Sequence, residues 1–223
     1  MIRKKVEDND NAVPTMTIMI TEASRPTDWT APSAWLPYLL LSVLSGLMML
    51  GGEPVIEALR YDRVAVGAGE WWRLFSGNLV HLGWWHWFFN VLSFALLVFL
   101  CPENNRPGEW LLRVLVIGTG VCFGLHLFTP NLENYVGLSG LAYGLLVFGF
   151  IRQILVGDRF AVACLGFVAA RIVWEMVIGA PKSEETLIGG SVVAESHLYG
   201  VVAAVIYGLA TGAFRRPARP ATA

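Results

Sequence analysis

Ser139 stands in the tetrapeptide Gly137-Leu138-Ser139-Gly140 at the head of an apolar run, and His197 opens a second uncharged run further along the chain. A serine hydroxyl attacks a carbonyl only when a neighbouring base takes its proton, and an imidazole that titrates near neutrality suits that role. His86 and Asn90, four positions apart, would share one face of a helix and could offer hydrogen bonds to a developing oxyanion. The chemistry these residue types point to is peptide-bond hydrolysis inside an apolar environment. Taken alone, the serine between glycines reads more readily as a device for packing helices, and the His86 and Asn90 pair reads equally as hydrogen bonding between helices.

The elements that must position these groups are set by composition. The chain has 223 residues, of which 55% are hydrophobic and 15% charged, far more apolar than a soluble domain of this size. Six segments approach the ~20 residues needed to cross a hydrocarbon core of ~30 Å. They lie near 35–50, 83–100, 111–128, 135–151, 160–178 and 196–214. The expected fold class is an all-α membrane protein, a bundle of six transmembrane helices with a long interfacial loop between the first and second. A net charge of -1 without a basic stripe gives nucleic acid no electrostatic handle. Cys101, Cys122 and Cys164 lack metal-ligand or CxxC spacing and read as small packing residues.

Basic residues cluster in the N-terminal tail, in the second and fourth connections and at the C-terminus. The positive-inside rule places these in the cytoplasm, with both termini there. The second, fourth and sixth segments then run inward from the outer face, so His86, Asn90, Ser139 and His197 share one shallow depth. Gly200, Ala204, Gly208 and Gly212 form a small-residue stripe along the sixth segment, and His197 lies on the same face. Gly137 and Gly140 leave room for a substrate backbone and for the fourth and sixth segments to touch. Tyr143, one turn below Ser139, is placed to hold the imidazole by ring contact.

Other polar residues have less defined roles. His81 ties the interfacial loop to the top of the second segment, and His126 reads as structural. Arg171 and Glu175, spaced i and i+4 within the fifth segment, must pair or face water. They form either a neutralising salt bridge near the outer boundary or a substrate-recognition feature. Glu70-Trp71-Trp72-Arg73 in the first loop mixes aromatic rings with charges, a composition that favours the headgroup layer. The stretch from 180 to 195 is a mobile lid or a plain connector. Glu195, beside His197 in sequence, is expected to face the loop.

Together these positions resemble the rhomboid intramembrane serine proteases. The resemblance spans about Trp35 to Gly212 and rests on Gly137-Leu138-Ser139-Gly140 with Tyr143, on His197-Leu198-Tyr199-Gly200, on Trp72-Arg73, and on His81, His86 and Asn90. It implies a Ser139 and His197 dyad without an acidic third member, and an oxyanion pocket of His86, Asn90 and the Ser139 amide. No metal or cofactor is implied. Trp84-Trp85-His86, Arg171 with Glu175, and Ile188-Gly189-Gly190 are similar more narrowly to the rhombosortase branch. Membership there implies, as substrate, a membrane-embedded protein with a C-terminal Gly-Gly motif, a transmembrane helix and a basic end. It also implies a bacterial cytoplasmic membrane, with the active site toward the periplasm. The expected organisation is a flexible cytoplasmic tail (1–30), a six-helix protease domain (31–214) and a basic cytoplasmic tail (215–223). A general rhomboid protease with other single-span substrates, and a catalytically silent chaperone of the same fold, are the alternatives.

Overall fold

The computed structural model describes residues 31–215; the expected N-terminal tail and all but Arg215 of the expected C-terminal tail lie outside the described residues. Pro32 opens α1 (Pro32–Met49), where its fixed φ suits the first turn and its missing N–H forfeits no helical bond. The connection that follows folds into α2 (Gly52–Leu59), β1 (Tyr61–Asp62), α3 (Arg63–Gly67) and α4 (Arg73–Ser76). Then come α5 (Trp84–Leu100), α6 (Pro107–Phe128), β2 (Asn134–Tyr135), α7 (Ser139–Leu155) and α8 (Arg159–Ile178). After these, α9 (Lys182–Ile188) precedes α10 (Ala194–Ala210). Asp158 caps α8 by accepting from the amides of Phe160 and Ala161. Gly189, in the left-handed region at φ 87°, ends α9.

Helices α1, α6 and α8 are long and apolar enough to cross a membrane, while α5, α7 and α10 are apolar and 17 residues long. The outward faces carry Leu40, Phe167, Val177 and Leu209, all exposed. An exterior of this kind is solvated by lipid rather than water, and the chain is a multi-pass membrane protein. Helix α7 is central, packing against α5, α6, α8 and α10 and burying Leu141, Leu145, Phe148 and Phe150.

The closest contact is between α7 and α10. A Cβ on Gly144 would lie 2.5 Å from the Gly200 carbonyl oxygen, one on Gly140 would lie 2.7 Å from that of Ser196, and one on Gly200 would overlap the Gly140 carbonyl. The expected small-residue stripe is therefore at the contact in its upper part, Gly200 and Ala204. Its lower part is not: α10 stops at Ala210, Gly208 is covered by Phe214, and Gly212 lies past the helix end at φ 72°.

The connection after α1 is a folded unit, and it departs from an all-helical expectation. β1 pairs antiparallel with β2, Tyr61 opposite Tyr135 and Asp62 opposite Asn134. Arg63 donates to the carbonyls of Leu125, His126, Thr129 and Leu132 at 2.7–2.9 Å, closing the C-terminal end of α6. Arg73 binds Glu70 and the carbonyls of Glu57 and Arg60. Tyr61 bonds His126 Nδ1 at 3.1 Å, which supplies the partner that the sequence left undefined. At the far end of α7, the buried Arg113 stacks over Phe148 and pairs with Glu103, which also meets Arg152.

Gly200→Ala is expected to lower stability by about 1–3 kcal/mol, because neither helix backbone can yield locally. Gly166→Ala, where a Cβ on α8 meets only open space, is expected to be neutral or to raise stability by a few tenths of a kcal/mol up to about 1. Thermal unfolding of the two variants in detergent measures the contrast.

Candidate active site

Four helix ends converge on one cavity of about 490 Å³. Ser139 is the first residue of α7, His86 and Asn90 lie in the first two turns of α5, His197 in the first turn of α10, and Glu175 in the last turn of α8. The turn before α7 is pinned by the folded connection: the Gly137 amide donates to the Gly77 carbonyl at 3.1 Å, and Tyr135 Oη donates to the Gly137 carbonyl at 2.9 Å. Gly137 sits at φ 118°, where a side chain would be strained. A Cβ there would also come within 2.7 Å of the His86 ring, so glycine permits the imidazole to lie over the turn.

Ser139 Oγ is 3.1 Å from His197 Nε2. His197 Nδ1 is 2.6 Å from Glu175 Oε2. A carboxylate oxygen only accepts, so this contact assigns the imidazole proton to Nδ1 and leaves the Nε2 lone pair facing the serine hydroxyl. The Tyr143 ring stacks on the imidazole with centroids 4.1 Å apart and an interplanar angle of 8°. The geometry thus brings together a hydroxyl, a base in the tautomer that can take its proton, and a ring plate that limits imidazole rotation.

On the opposite wall, the Leu82 amide approaches His86 Nδ1 at 3.4 Å, which assigns the ring proton to Nε2. Asn90 Nδ2 spends one of its two hydrogens on the His86 carbonyl at 2.8 Å and retains the other. Both residues line the cavity with Ser139. The first amides of α7 have no carbonyl within their own helix and carry the positive end of its dipole. A negatively charged oxygen beside Ser139 would meet donors from α5 and α7.

The absence of an acid behind His197, as expected from the sequence, is overturned by Glu175. Its side chain is 1% exposed, and its Oε2 meets His197 at the edge of the cavity that it also lines. Arg171 Nε lies 2.7 Å from Glu175 Oε1, an ion pair held by charge, since the N–H direction falls outside hydrogen-bond alignment. The same guanidinium donates to Glu184 Oε2 of α9 at 2.7 Å. The signal was present in the sequence: alternation of direction places the C-terminal end of the fifth segment at the depth of Ser139.

The remaining positions divide clearly. Gly140 and Gly200 serve the contact of α7 with α10, and His81 sits behind His86 with ring centroids 5.0 Å apart. Arg73 braces the connection after α1, and Trp72 projects outward, half exposed; neither joins the cavity. The segment expected as lid or connector contains α9, whose Ile188 lines the cavity together with Gly190, Ser191 and Val192.

A serine, histidine and glutamate in line at one end of a helical membrane bundle are the residue types that serine hydrolases combine. The profile described as Rhomboid domain matches residues 68–214, and the chain belongs to the rhomboid family. It is 26% identical over 120 residues to the protein named "Putative rhomboid protease YdcA" of Bacillus subtilis (strain 168), covering 51% of this chain and 59% of that protein. It is 27% identical over 137 residues to "Rhomboid-type serine protease 2" of Emericella nidulans, covering 53% of this chain and 27% of that protein. The chain therefore spans less than two thirds of either relative.

His81, just before α5, is fully buried with both ring nitrogens lacking a hydrogen-bond partner among the described residues. Burial, and secondarily the neighbouring His86, holds its pKa well below 6.5. A depressed imidazole contributes stability that is complete above 6.5 and is lost as pH falls toward the folded-state value, by up to about 1.4 kcal/mol per pH unit. His81→Leu is expected to flatten this acid limb in thermal melts recorded across a pH series, with little change at pH 8.

Proposed function

We propose that the chain is an intramembrane serine endopeptidase in which Ser139 is the nucleophile and His197 the general base. The observation that carries this reading is the 3.1 Å separation of Ser139 Oγ and His197 Nε2 in a cavity that also holds His86 and Asn90. As Oγ bonds to the scissile carbonyl carbon, its proton moves to Nε2. The carbonyl oxygen becomes an oxyanion that accepts from His86 Nε2–H, the free hydrogen of Asn90 Nδ2 and the Ser139 amide. Collapse of the tetrahedral intermediate breaks the C–N bond, and Nε2 returns the proton to the leaving amine. Water then attacks the acyl ester by the same route in reverse.

The working unit is residues 31–214, with α1, α5, α6, α7, α8 and α10 as six spans, both termini cytoplasmic and the cavity toward the periplasm of a bacterial inner membrane. Helices of 17 residues reach ~26 Å, short of a ~30 Å core. Because the three short helices α5, α7 and α10 carry Ser139, His197, His86 and Asn90, the site lies below the outer boundary yet within reach of water. A membrane-embedded protein would present one stretch of its chain there with its helix locally unwound. The narrower reading is a substrate carrying a C-terminal Gly-Gly motif before a transmembrane helix and a basic end. Its support is the resemblance carried by Trp84-Trp85-His86 and Ile188-Gly189-Gly190, and the low helix propensity of Gly-Gly, which eases unwinding.

Ser139→Ala and His197→Ala are each expected to abolish cleavage of a single-span reporter in proteoliposomes while thermal unfolding stays near that of wild type. A fluorophosphonate probe is expected to label wild type and not Ser139→Ala. Cleavage retained by either variant rejects the assignment. A folded wild type that is neither labelled nor active with any single-span reporter supports a silent chaperone. Equal cleavage of reporters with Gly-Gly and with Val-Val at the tag rejects the narrower substrate reading alone.

A further inference from the structure

We infer that Glu175 is a positioning residue for His197, and that Arg171 links this carboxylate to helix α9 through Glu184. The inference rests on the hydrolytic reading of Ser139 and His197 and extends it to what holds the base. His197 Nδ1 and Glu175 Oε2 are 2.6 Å apart, and both side chains are almost wholly buried. The contact selects the tautomer that bares Nε2 toward Ser139. It also places a negative charge where positive charge appears when Nε2 takes the serine proton. Glu175 takes no proton itself in this step: the proton passes from Oγ to Nε2 and on to the leaving amine.

Charge counting shows why Arg171 belongs to the device. Glu175, Glu184 and Arg171 carry one net negative charge while His197 is neutral, and the group becomes neutral when His197 is protonated. Glu175 alone against His197 would be a buried carboxylate beside a neutral ring, with nothing to offset its charge. The guanidinium on Oε1 balances that charge and orients the carboxylate. Yet Arg171 is shared. Glu184 lies on α9, and α9 carries Ile188 at the cavity wall, so displacement of this short helix removes one of the two carboxylates that hold Arg171. Seating of α9 over the cavity and orientation of the base are coupled through one side chain.

The test uses the full chain in proteoliposomes with a single-span reporter. Glu175→Gln leaves Arg171 paired with Glu184, so folding is expected to be preserved. An amide can present its NH₂ to Nδ1, which turns the ring to the tautomer with Nε2 protonated. The expected result is a kcat at least about 100-fold lower with KM nearly unchanged. Fluorophosphonate labelling of Ser139 slows in parallel, and Glu175→Asp recovers part of both rates. A role in folding alone would lower the melting temperature and the active fraction while leaving the labelling rate of the folded molecules intact.

Wild-type kcat and labelling in folded Glu175→Gln overturns the inference. If that variant fails to fold, Glu175→Asp carries the test: a kcat at least about tenfold lower at constant KM supports the inference, and an unchanged kcat overturns it. The link to α9 is read from a double-mutant cycle. Glu184→Gln is expected to lower kcat several-fold in the wild-type background and to have no effect in Glu175→Gln, whereas equal effects in both backgrounds overturn the link. Ser139→Ala run alongside separates the levels: residual cleavage there rejects the protease reading itself, while loss there with full activity in Glu175→Gln rejects only the role of Glu175.

Discussion

The approach of the α7 and α10 backbones is the constraint on which the site depends. Ser139 and His197 have short side chains, and a hydrogen bond between them requires their helices to touch near their first turns. Gly140, Gly144 and Gly200 make this possible, since a Cβ at any of the three would meet a carbonyl of the facing helix. In lipid no hydrophobic effect drives two apolar helices together, so intimate van der Waals contact between small residues supplies the attraction. The same glycines that give the bundle its tightest seam therefore set the distance between hydroxyl and imidazole. Larger residues there would leave both groups in place along the sequence and out of reach in space.

The second constraint is the cost of polar groups in a bundle solvated by hydrocarbon. A single ionised side chain in such surroundings costs several kcal/mol unless paired. The described residues answer this cost at the two ends of α7. Glu103 pairs with Arg113 and Arg152 at one end, with Phe148 lending its ring face to Arg113. Glu175 with Arg171, Glu184 and His197 form the other. In the first network the cations outnumber the carboxylate. The second holds a spare negative charge, and that imbalance suits it to receive a proton.

Depth along the helices is legible in the sequence, whereas azimuth largely is not. Alternating helix direction and charge bias set His86, Asn90, Ser139 and His197 at one level, and those four residues do line one cavity. The i, i+4 spacing of Arg171 and Glu175 also reveals their mutual contact. What that spacing cannot reveal is which neighbouring helix the pair faces, because an all-round apolar helix such as α8 has no amphipathic stripe to orient it. Sequence therefore assigns Glu175 to its own helix, while its second oxygen belongs to α10. The connection after α1 is hidden for another reason. Strands of two residues show no period, and an arginine that binds four carbonyls looks in sequence like any outer-face charge.

That folded connection has a consequence for the chemistry. Ser139 is the first residue of its helix, a position that frays unless the preceding turn is held. Tyr61 opposite Tyr135, the Gly137 amide on the Gly77 carbonyl, and Tyr135 Oη on the Gly137 carbonyl fasten the chain just before Leu138 to structure outside α7. Arg63 in turn joins this unit to the end of α6. A serine at a helix start gains free amides and a favourable dipole but risks losing its orientation. Here the orientation comes from a segment that lies outside α7 and α10. The connection holds the Ser139 backbone in place, and the seam of glycines brings His197 to it.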